Sequence, residues 1–542
     1  MPHPTLRPAR AGARNRRRIL CVAPRSTHSF GTFDHAHALM GVRAFMPPQG
    51  ILVIAAWLPE AWDVRFVDEN VRPVTDRDLD GAEAVFLTGM HAQRGRIHAL
   101  VERARARGRL TVLGGPSVSA CPEWYPDPDI LHLGELGDAT EALVARVDAS
   151  VERPCTQEVY EAKVRLPLCE FPVPAYRHIR LTDYFLASVQ FSSGCPFRCD
   201  FCDIPALYGR NPRLKRPEQI CAELDAMLCR GNPGAVYFVD DNFIGNRRAA
   251  VELLDYLIRW QEARGFPVEF ACEATLNVVQ FPDVLERMRD AAFRTMFCGV
   301  ETPEEAALES IHKEQNLRRP ILEAIQTLNR YGIEVVSGII LGLDTDTPRT
   351  GERIVRFIEE SRIPVLTINL LHALPRTPLW DRLEAAGRIR EVPGRDTNVE
   401  YLLPYEDVLR MWRETVAAAY TPEAIYGRFA HQMEHTYPNR RQLPASRSRV
   451  NPASILRGLG ILARLVWHAG IRADYRRVFW RMALPALRRL DLESVVHVGV
   501  VSHHMIRYAR ECAAGEGESA FYSARAREER GGTPSRWPLA GS

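Results

Sequence analysis

The chain has 542 residues, 46% hydrophobic and 25% charged, with a formal net charge of +3. That length predicts roughly two to four domains, and the near balance of charge excludes the strongly basic footprint of a nucleic-acid binder. Only Lys163, Lys215 and Lys313 are lysines; there is no run of eighteen apolar residues, and twelve cysteines in a chain with no secretory h-region argue against a disulfide scaffold.

The expectation is a cytoplasmic protein with a disordered basic leader over 1–17. From 18 to 150, short apolar runs such as "RILCVAP", "AVFLTGM", "LTVLGGPS" and "ILHLGE" alternate with helical patterns. This reads as an α/β, doubly wound, Rossmann-like domain. Such sheets bind ligands beyond the carboxyl ends of their strands, where Gly89, Gly114-Gly115-Pro116 and Gly134-Glu135 fall. The proline-rich stretch 151–181 reads as a linker.

A second alternating series over 182–399 offers six strands: "SVQFSSG", "AVYFVDD", "VEFACEA", "TMFCGVE", "VVSGIILGL" and "VLTINLLHAL". Six βα units predict a partial (β/α)6 barrel with its chemistry at the strands' carboxyl ends. From 400 to 513 the pattern becomes mainly helical, and 514–542 reads as a disordered tail.

Directly after the barrel's first strand comes "SGCPFRCDFCD", Ser193 to Asp203. A zinc site commonly draws four ligands from paired Cys-x2-Cys arms, and no second arm lies nearby. Cys195-x3-Cys199-x2-Cys202 fits instead a four-iron cluster with one iron left open.

This spacing, in this strand context, resembles the radical S-adenosylmethionine (SAM) superfamily. The resemblance implies that Cys195, Cys199 and Cys202 hold a 4Fe-4S cluster whose open iron binds SAM, which is cleaved reductively to a 5′-deoxyadenosyl radical. It further implies SAM contacts at Phe201, at Asp240, Asp241 and Asn242 of "VDDNF", at Glu301 of "GVE", and at Gly338 and Gly342 of "SGIILGLD". A helix cap explains one of the two aspartates equally well.

A doubly wound domain before such a barrel resembles the cobalamin-binding subgroup of that superfamily. The matching segments assign Gln49, Gly89, Met90, His91, Gly114, Gly115, Pro116 and Glu135 to cobalamin. The D-x-H-x-x-G signature of a cobalt-ligating histidine is absent, so Met90 and His91 are read as pocket lining. Methylcobalamin beside a radical generator implies methyl transfer to an unactivated carbon.

The order of landmarks, including "SFGTF", "FMPPQG" and "DIPALYGRNPR", looks most like the hopanoid C-2 methylase family. This implies a hopanoid-like lipid substrate methylated at C-2 of the A ring, and a reducing partner such as flavodoxin or ferredoxin. Action on another hydrophobic or polycyclic substrate, by methylation, oxidation or cyclisation, is an alternative; a non-catalytic cobalamin or iron-sulfur sensor is another. Arginines interleaved with apolar residues after Val450 fit peripheral association with the inner membrane surface, and equally packing on the chain's own barrel.

Overall fold

A computed structural model describes residues 15–392, 394–443 and 452–519. The basic leader over 1–14 and the tail from 520 lie outside the described residues. Asn15 and Arg17 are already engaged, both hydrogen-bonding Asp148.

The first sheet contains β1 (Arg18–Ala23), β2 (Asp63–Asp68), β3 (Ala84–Leu87), β4 (Leu110–Leu113), β5 (Ile130–Leu133) and β6 (Glu158–Glu161). All pairs are parallel, in the order β2-β1-β3-β4-β5-β6. β3 and β4 are buried throughout, as continuous apolar runs covered on both faces must be. One face packs under the helix Arg94–Ala106 through Ile97, Leu100, Val101 and Ala104, the other under Gln49–Trp57 and Asp138–Ala149. The stretch read as linker contributes β6: its pattern is exposed on alternate residues, and backbone pairing, the packing of Tyr160 and a Glu158–Arg146 ion pair hold it on the sheet edge.

Six parallel strands form the central sheet: β7 (Ala187–Val189), β10 (Ala235–Phe238), β11 (Glu269–Glu273), β12 (Phe293–Glu301), β13 (Glu334–Leu341) and β14 (Val365–Leu370). They lie in sequence order, so β7 and β14 are the open edges of a partial barrel. A short antiparallel pair, β8 (Ser192–Ser193) and β9 (Arg213–Leu214), interrupts the series after β7. Phe238, Phe243, Phe270 and Phe293 pack ring against ring in the buried core, with centroids 5.2–5.7 Å apart.

Helices between Tyr405 and Ala513 follow and share one continuous core with the barrel. The Trp412 indole donates to the Ile368 carbonyl at 2.8 Å, and the Leu366 amide donates to the Tyr420 hydroxyl, so this region covers the β14 edge. The β7 side is bordered by the segment around Ala44, which accepts from Phe185, while Phe45 accepts from Leu186. Residues 514–519, read as the start of the disordered tail, return to the barrel, where Leu370 donates to the Ser519 carbonyl at 2.7 Å. Among the described residues, no helix is long and apolar enough to cross a membrane.

Candidate active site

The three cysteines occupy the loop between β8 and β9, at the carboxyl end of β7. Gly194 has φ +98°, and a Cβ there would lie 2.8 Å from the Gly209 carbonyl oxygen, so the loop closes only on glycine. Cys195 donates its amide to Gly209 at 3.2 Å, and Cys202 donates to the Cys199 carbonyl at 3.2 Å. Burial pushes the Cys195 and Cys202 thiols up, and each of the two is raised further by a neighbouring cysteine.

Three sulfurs around one tetrahedral zinc, each at ~2.3 Å, would stand roughly 3.8 Å apart. Among the described residues the three thiols do not gather within 4.8 Å of one another. They therefore suit a multinuclear cluster better than a single ion. Gln315 donates to the Cys199 sulfur at 3.3 Å, a contact of the kind that orients a ligand from behind.

Buried acceptors ring the carboxyl ends of β10 and β11. Asp240 accepts from the Phe191 and Ser192 amides at 2.7 and 2.8 Å through one oxygen, leaving Oδ2 buried and without a hydrogen-bond partner among the described residues. Asp241 accepts from the Gly194 amide at 2.6 Å, tying β10 to the cysteine loop. Asn242 donates to Thr275 at 3.3 Å, while its own Oδ1 and the Ser192 hydroxyl are buried without hydrogen-bond partners among the described residues. Burial pushes Asp240 up to about 7, Asp241 to about 6 and Glu273 to about 7. Unsatisfied buried acceptors are costly, and a bound ammonium would satisfy several at once.

β12 ends in a bulge at Glu301, whose φ of 66° is left-handed and strained for a non-glycine residue. Its carboxylate takes a 2.7 Å ion pair from Lys313, with both side chains buried. Burial alone would lower Lys313, but Glu301 and then Cys199 raise it on balance, so it stays cationic beside the thiols. The same ammonium sits 5.5 Å from the centre of the Phe201 ring. Gly299 leaves room for this pair, because a Cβ would fall 2.2 Å from Glu301 Oε1 and 2.9 Å from Lys313 Nζ and so displace the two side chains. Gly338 on β13 faces the same carboxylate, and Gly342, at φ +96°, lies against the Tyr401 ring.

The residues assigned to the first domain fall into two groups. Met90, His91, Gly89 and Gly114-Gly115-Pro116 sit together at the ends of β3 and β4. His91 is buried, bonded through Nδ1 to Ser117 at 2.9 Å and edge-on to Trp124. His91 and Trp124 line one wall of a narrow cleft, while His372, Ala373, Leu374 and Pro375, just beyond β14, line the other. Gly115 has φ +100° and a Cβ would strike Thr88, so packing within the domain already requires this glycine.

Gln49 and Glu135 lie instead against the barrel. Gln49 donates to Tyr176 and to the Ser188 carbonyl of β7, so its amide is committed to the junction of the two sheets. Glu135 pairs with Arg213 of β9 at 2.5 Å and with Arg165 at 3.3 Å, clamping the first domain to the cysteine loop.

Glu273, Lys313, Gln315 and Arg213 belong to this site and were not picked out in the sequence. One signal was available: of three lysines in an arginine-rich chain, Lys215 and Lys313 are both buried in ion pairs, with Glu223 and Glu301. Gln315 and Glu273 lack such a mark.

A model of the radical SAM superfamily matches residues 189–358, and a domain of unknown function (DUF4070) matches 377–518. Among solved structures the fold is similar to the cobalamin-dependent SAM radical enzyme OxsB with aqua-cobalamin and SAM bound (TM-score 0.56, 14% identity, 92% of this chain and 80% of that one). It is also similar to the radical SAM methyltransferase TsrM from Kitasatospora setae (TM-score 0.53, 16% identity, 92% of this chain and 100% of that one). Fold and site together define a radical SAM enzyme with a doubly wound domain ahead of its barrel. The chain is 54% identical over 513 residues to the hopanoid C-2 methylase of Rhodopseudomonas palustris (strain TIE-1), a match covering 94% of this chain and 97% of that protein. It belongs to the hopanoid C-2 methylase family.

Proposed function

We propose that this protein is a cobalamin-dependent radical SAM C-methyltransferase that methylates a hopanoid at C-2 of its A ring. The observation that carries the reading is the 54% identity to a hopanoid C-2 methylase along nearly the whole of both chains, helical region included. The chemistry supplied by the groups when bound is reductive cleavage of SAM to a 5′-deoxyadenosyl radical and provision of a methyl group by methylcobalamin.

Cys195, Cys199 and Cys202 would hold the cluster, with Lys313 and Gln315 offsetting its negative charge. Asp240, Asp241, Asn242 and Glu273 would receive the SAM ammonium, since their buried acceptors ask for a cationic donor. Glu301 would orient the ribose hydroxyls, held in its left-handed conformation by Lys313. Phe201, Gly338 and Gly342 would accommodate the adenosyl group. The corrin would be received where His91 and Trp124 face residues 372–375; the cleft there is only wide enough for a water, so the two walls would have to part to admit it. A reduced flavodoxin or ferredoxin would deliver the electron.

The lipid would be met at a surface. Ile455, Leu456, Leu459, Trp467, Ile471, Leu484, Leu490 and Leu492 are all substantially exposed, and the exposed Arg457, Arg472, Arg476, Arg477, Arg481, Arg488 and Arg489 interleave with them. Phe479, Ala483 and Ala486 pack inward from the same region, which therefore both closes on the barrel and keeps an outer apolar face. Arginine beside exposed apolar side chains fits an anionic bilayer surface. Flotation with vesicles containing anionic lipid tests this: Leu456→Glu with Leu490→Glu should reduce binding several-fold, and unchanged binding would remove the surface from the account.

Expression in a host that makes only desmethyl hopanoids tests the function itself. Appearance of a 2-methylhopanoid by mass spectrometry supports the reading. An unchanged lipid profile, with active cluster-loaded protein, overturns it.

A further inference from the structure

Far from the cysteine loop in sequence, one group of side chains is arranged as metal ligands. Among the described residues, His28, His35 and Glu511 are the three whose donor atoms lie within 4.8 Å of one another. His28 and His35 come from the segment after β1, and Glu511 from the last helix, Leu492–Ala513. We propose that these three residues form a binding site for a divalent transition-metal ion of the zinc type, joining the segment after β1 to the helix Leu492–Ala513.

The geometry carries this in three ways. Glu511 places Oε2 3.0 Å from His28 Nε2 and Oε1 2.8 Å from His35 Nε2. Ligands ~2.0–2.1 Å from a tetrahedral zinc stand roughly 3.3 Å apart, so these atoms need to separate only slightly to admit an ion. His35 Nε2 is buried, and among the described residues it has Glu511 Oε1 2.8 Å away as an ion-pair contact and no well-formed hydrogen bond. An ion there would displace the proton shared by His28 Nε2 and Glu511 Oε2, which are hydrogen-bonded at 3.0 Å, and would give His35 Nε2 a partner.

The surroundings also match. Asp34 accepts from His28 Nδ1 at 2.5 Å, so a carboxylate fixes the ring from behind and leaves Nε2 facing Glu511. Thr32 in turn donates to that carboxylate at 2.5 Å. The set of two imidazoles and one carboxylate leaves a fourth position open to water. His504 stands beside it, its ring centroid 5.7 Å from that of His35, with Nδ1 buried and unpartnered among the described residues.

The site's position gives it a task. Phe30, next to His28, packs on Tyr508 and Tyr420, and Tyr420 is bonded to β14, while Phe33 stacks on Phe45 and Phe185 beside β7. An ion here would pin the seam between the barrel's two open edges.

The test is equilibrium dialysis of chelator-treated, cluster-reconstituted full-length enzyme against zinc, read by elemental analysis with iron counted in the same sample. Wild type should take up one zinc more than Glu511→Gln, a variant that keeps the side chain's volume and removes its charge. Asp34→Asn should bind that zinc 10- to 100-fold more weakly, as loss of an orienting carboxylate does. Zinc should also raise the thermal midpoint of wild type and not of Glu511→Gln. Equal zinc uptake by wild type and Glu511→Gln, at equal iron content, would overturn the proposal and leave a metal-free ion-pair network.

Discussion

The Lys313–Glu301 pair gives the most discriminating structural prediction. Both side chains are buried, 2.7 Å apart, between the cysteine loop and the end of β12. Lys313→Met removes the cation and leaves Glu301 buried without its counterion, as well as withdrawing positive charge from beside Cys199. Removing one partner of a buried pair costs about 3–5 kcal/mol. For a unit the size of the barrel that corresponds to a fall of roughly 6–12 °C in apparent midpoint, taking the lower figure. Glu301→Gln alone should cost a comparable amount by stranding the ammonium. The double variant Lys313→Met/Glu301→Gln should be clearly more stable than the sum of the single losses predicts, because neither charge is then left alone. The assay is thermal unfolding of all four proteins prepared without cluster, with SAM affinity measured separately on cluster-loaded samples. Additive losses would refute the coupling, and unchanged SAM affinity in Glu301→Gln would refute the ribose role.

Three further outcomes follow from the site. Gly342→Ala should destabilise by about 2–4 kcal/mol, since the φ of +96° and a Tyr401 ring atom 2.4 Å from the new Cβ both oppose it; Tyr401→Leu in the same background should recover the steric part alone, as measured by thermal midpoint. Asp240, Asp241 and Glu273 are raised to about 7, 6 and 7 from ordinary values of 3.8, 3.8 and 4.5, so the native state holds more protons than the unfolded chain and the ligand-free protein should lose stability as pH rises from about 4 to 7. Binding the SAM ammonium favours the ionised forms, so SAM affinity should rise between pH 6 and 8 with proton release in calorimetry, and Glu273→Gln should weaken it roughly 10- to 100-fold and flatten the profile; a pH-independent affinity in wild type would contradict the ammonium assignment. Arg213→Ala should loosen the clamp between Glu135 and the cysteine loop, detected as faster hydrogen exchange over 194–212, whereas unchanged exchange would remove Glu135 from that role.

Much of this architecture was legible because its signals are local. Cys195, Cys199 and Cys202 share one loop, and the six apolar runs of the barrel correspond to β7 and β10 to β14 in order. Gly338 and Gly342 stand in one short strand motif, and in the structure Gly338 lies beside the Glu301 carboxylate and Gly342 against the Tyr401 ring. What stayed hidden depends on partners distant in sequence. Lys313 and Gln315 acquire meaning only when the loop after β12 meets Glu301 and the cysteine loop, and Glu273 only when the end of β11 meets Tyr237 of β10. β6 is exposed on alternate residues and is held by backbone pairing, the packing of Tyr160 and the Glu158–Arg146 ion pair, and residues 514–519 look disordered by composition until Ser519 meets Leu370. Gln49 and Glu135 sit in segments that matched a cofactor domain, yet their side chains are committed to the interface with the barrel. Sequence order locates a segment; it does not say to which side a polar group turns.

The most direct test uses a desmethyl hopanoid carrying deuterium at C-2, incubated anaerobically with cluster- and cobalamin-loaded enzyme, SAM and a reductant, followed by mass spectrometry of both products. The prediction is a 2-methylhopanoid formed together with 5′-deoxyadenosine that has gained deuterium, with both lost in Cys199→Ala. Deoxyadenosine free of deuterium, or a lipid methylated without it, would contradict hydrogen abstraction at C-2 and with it the central claim.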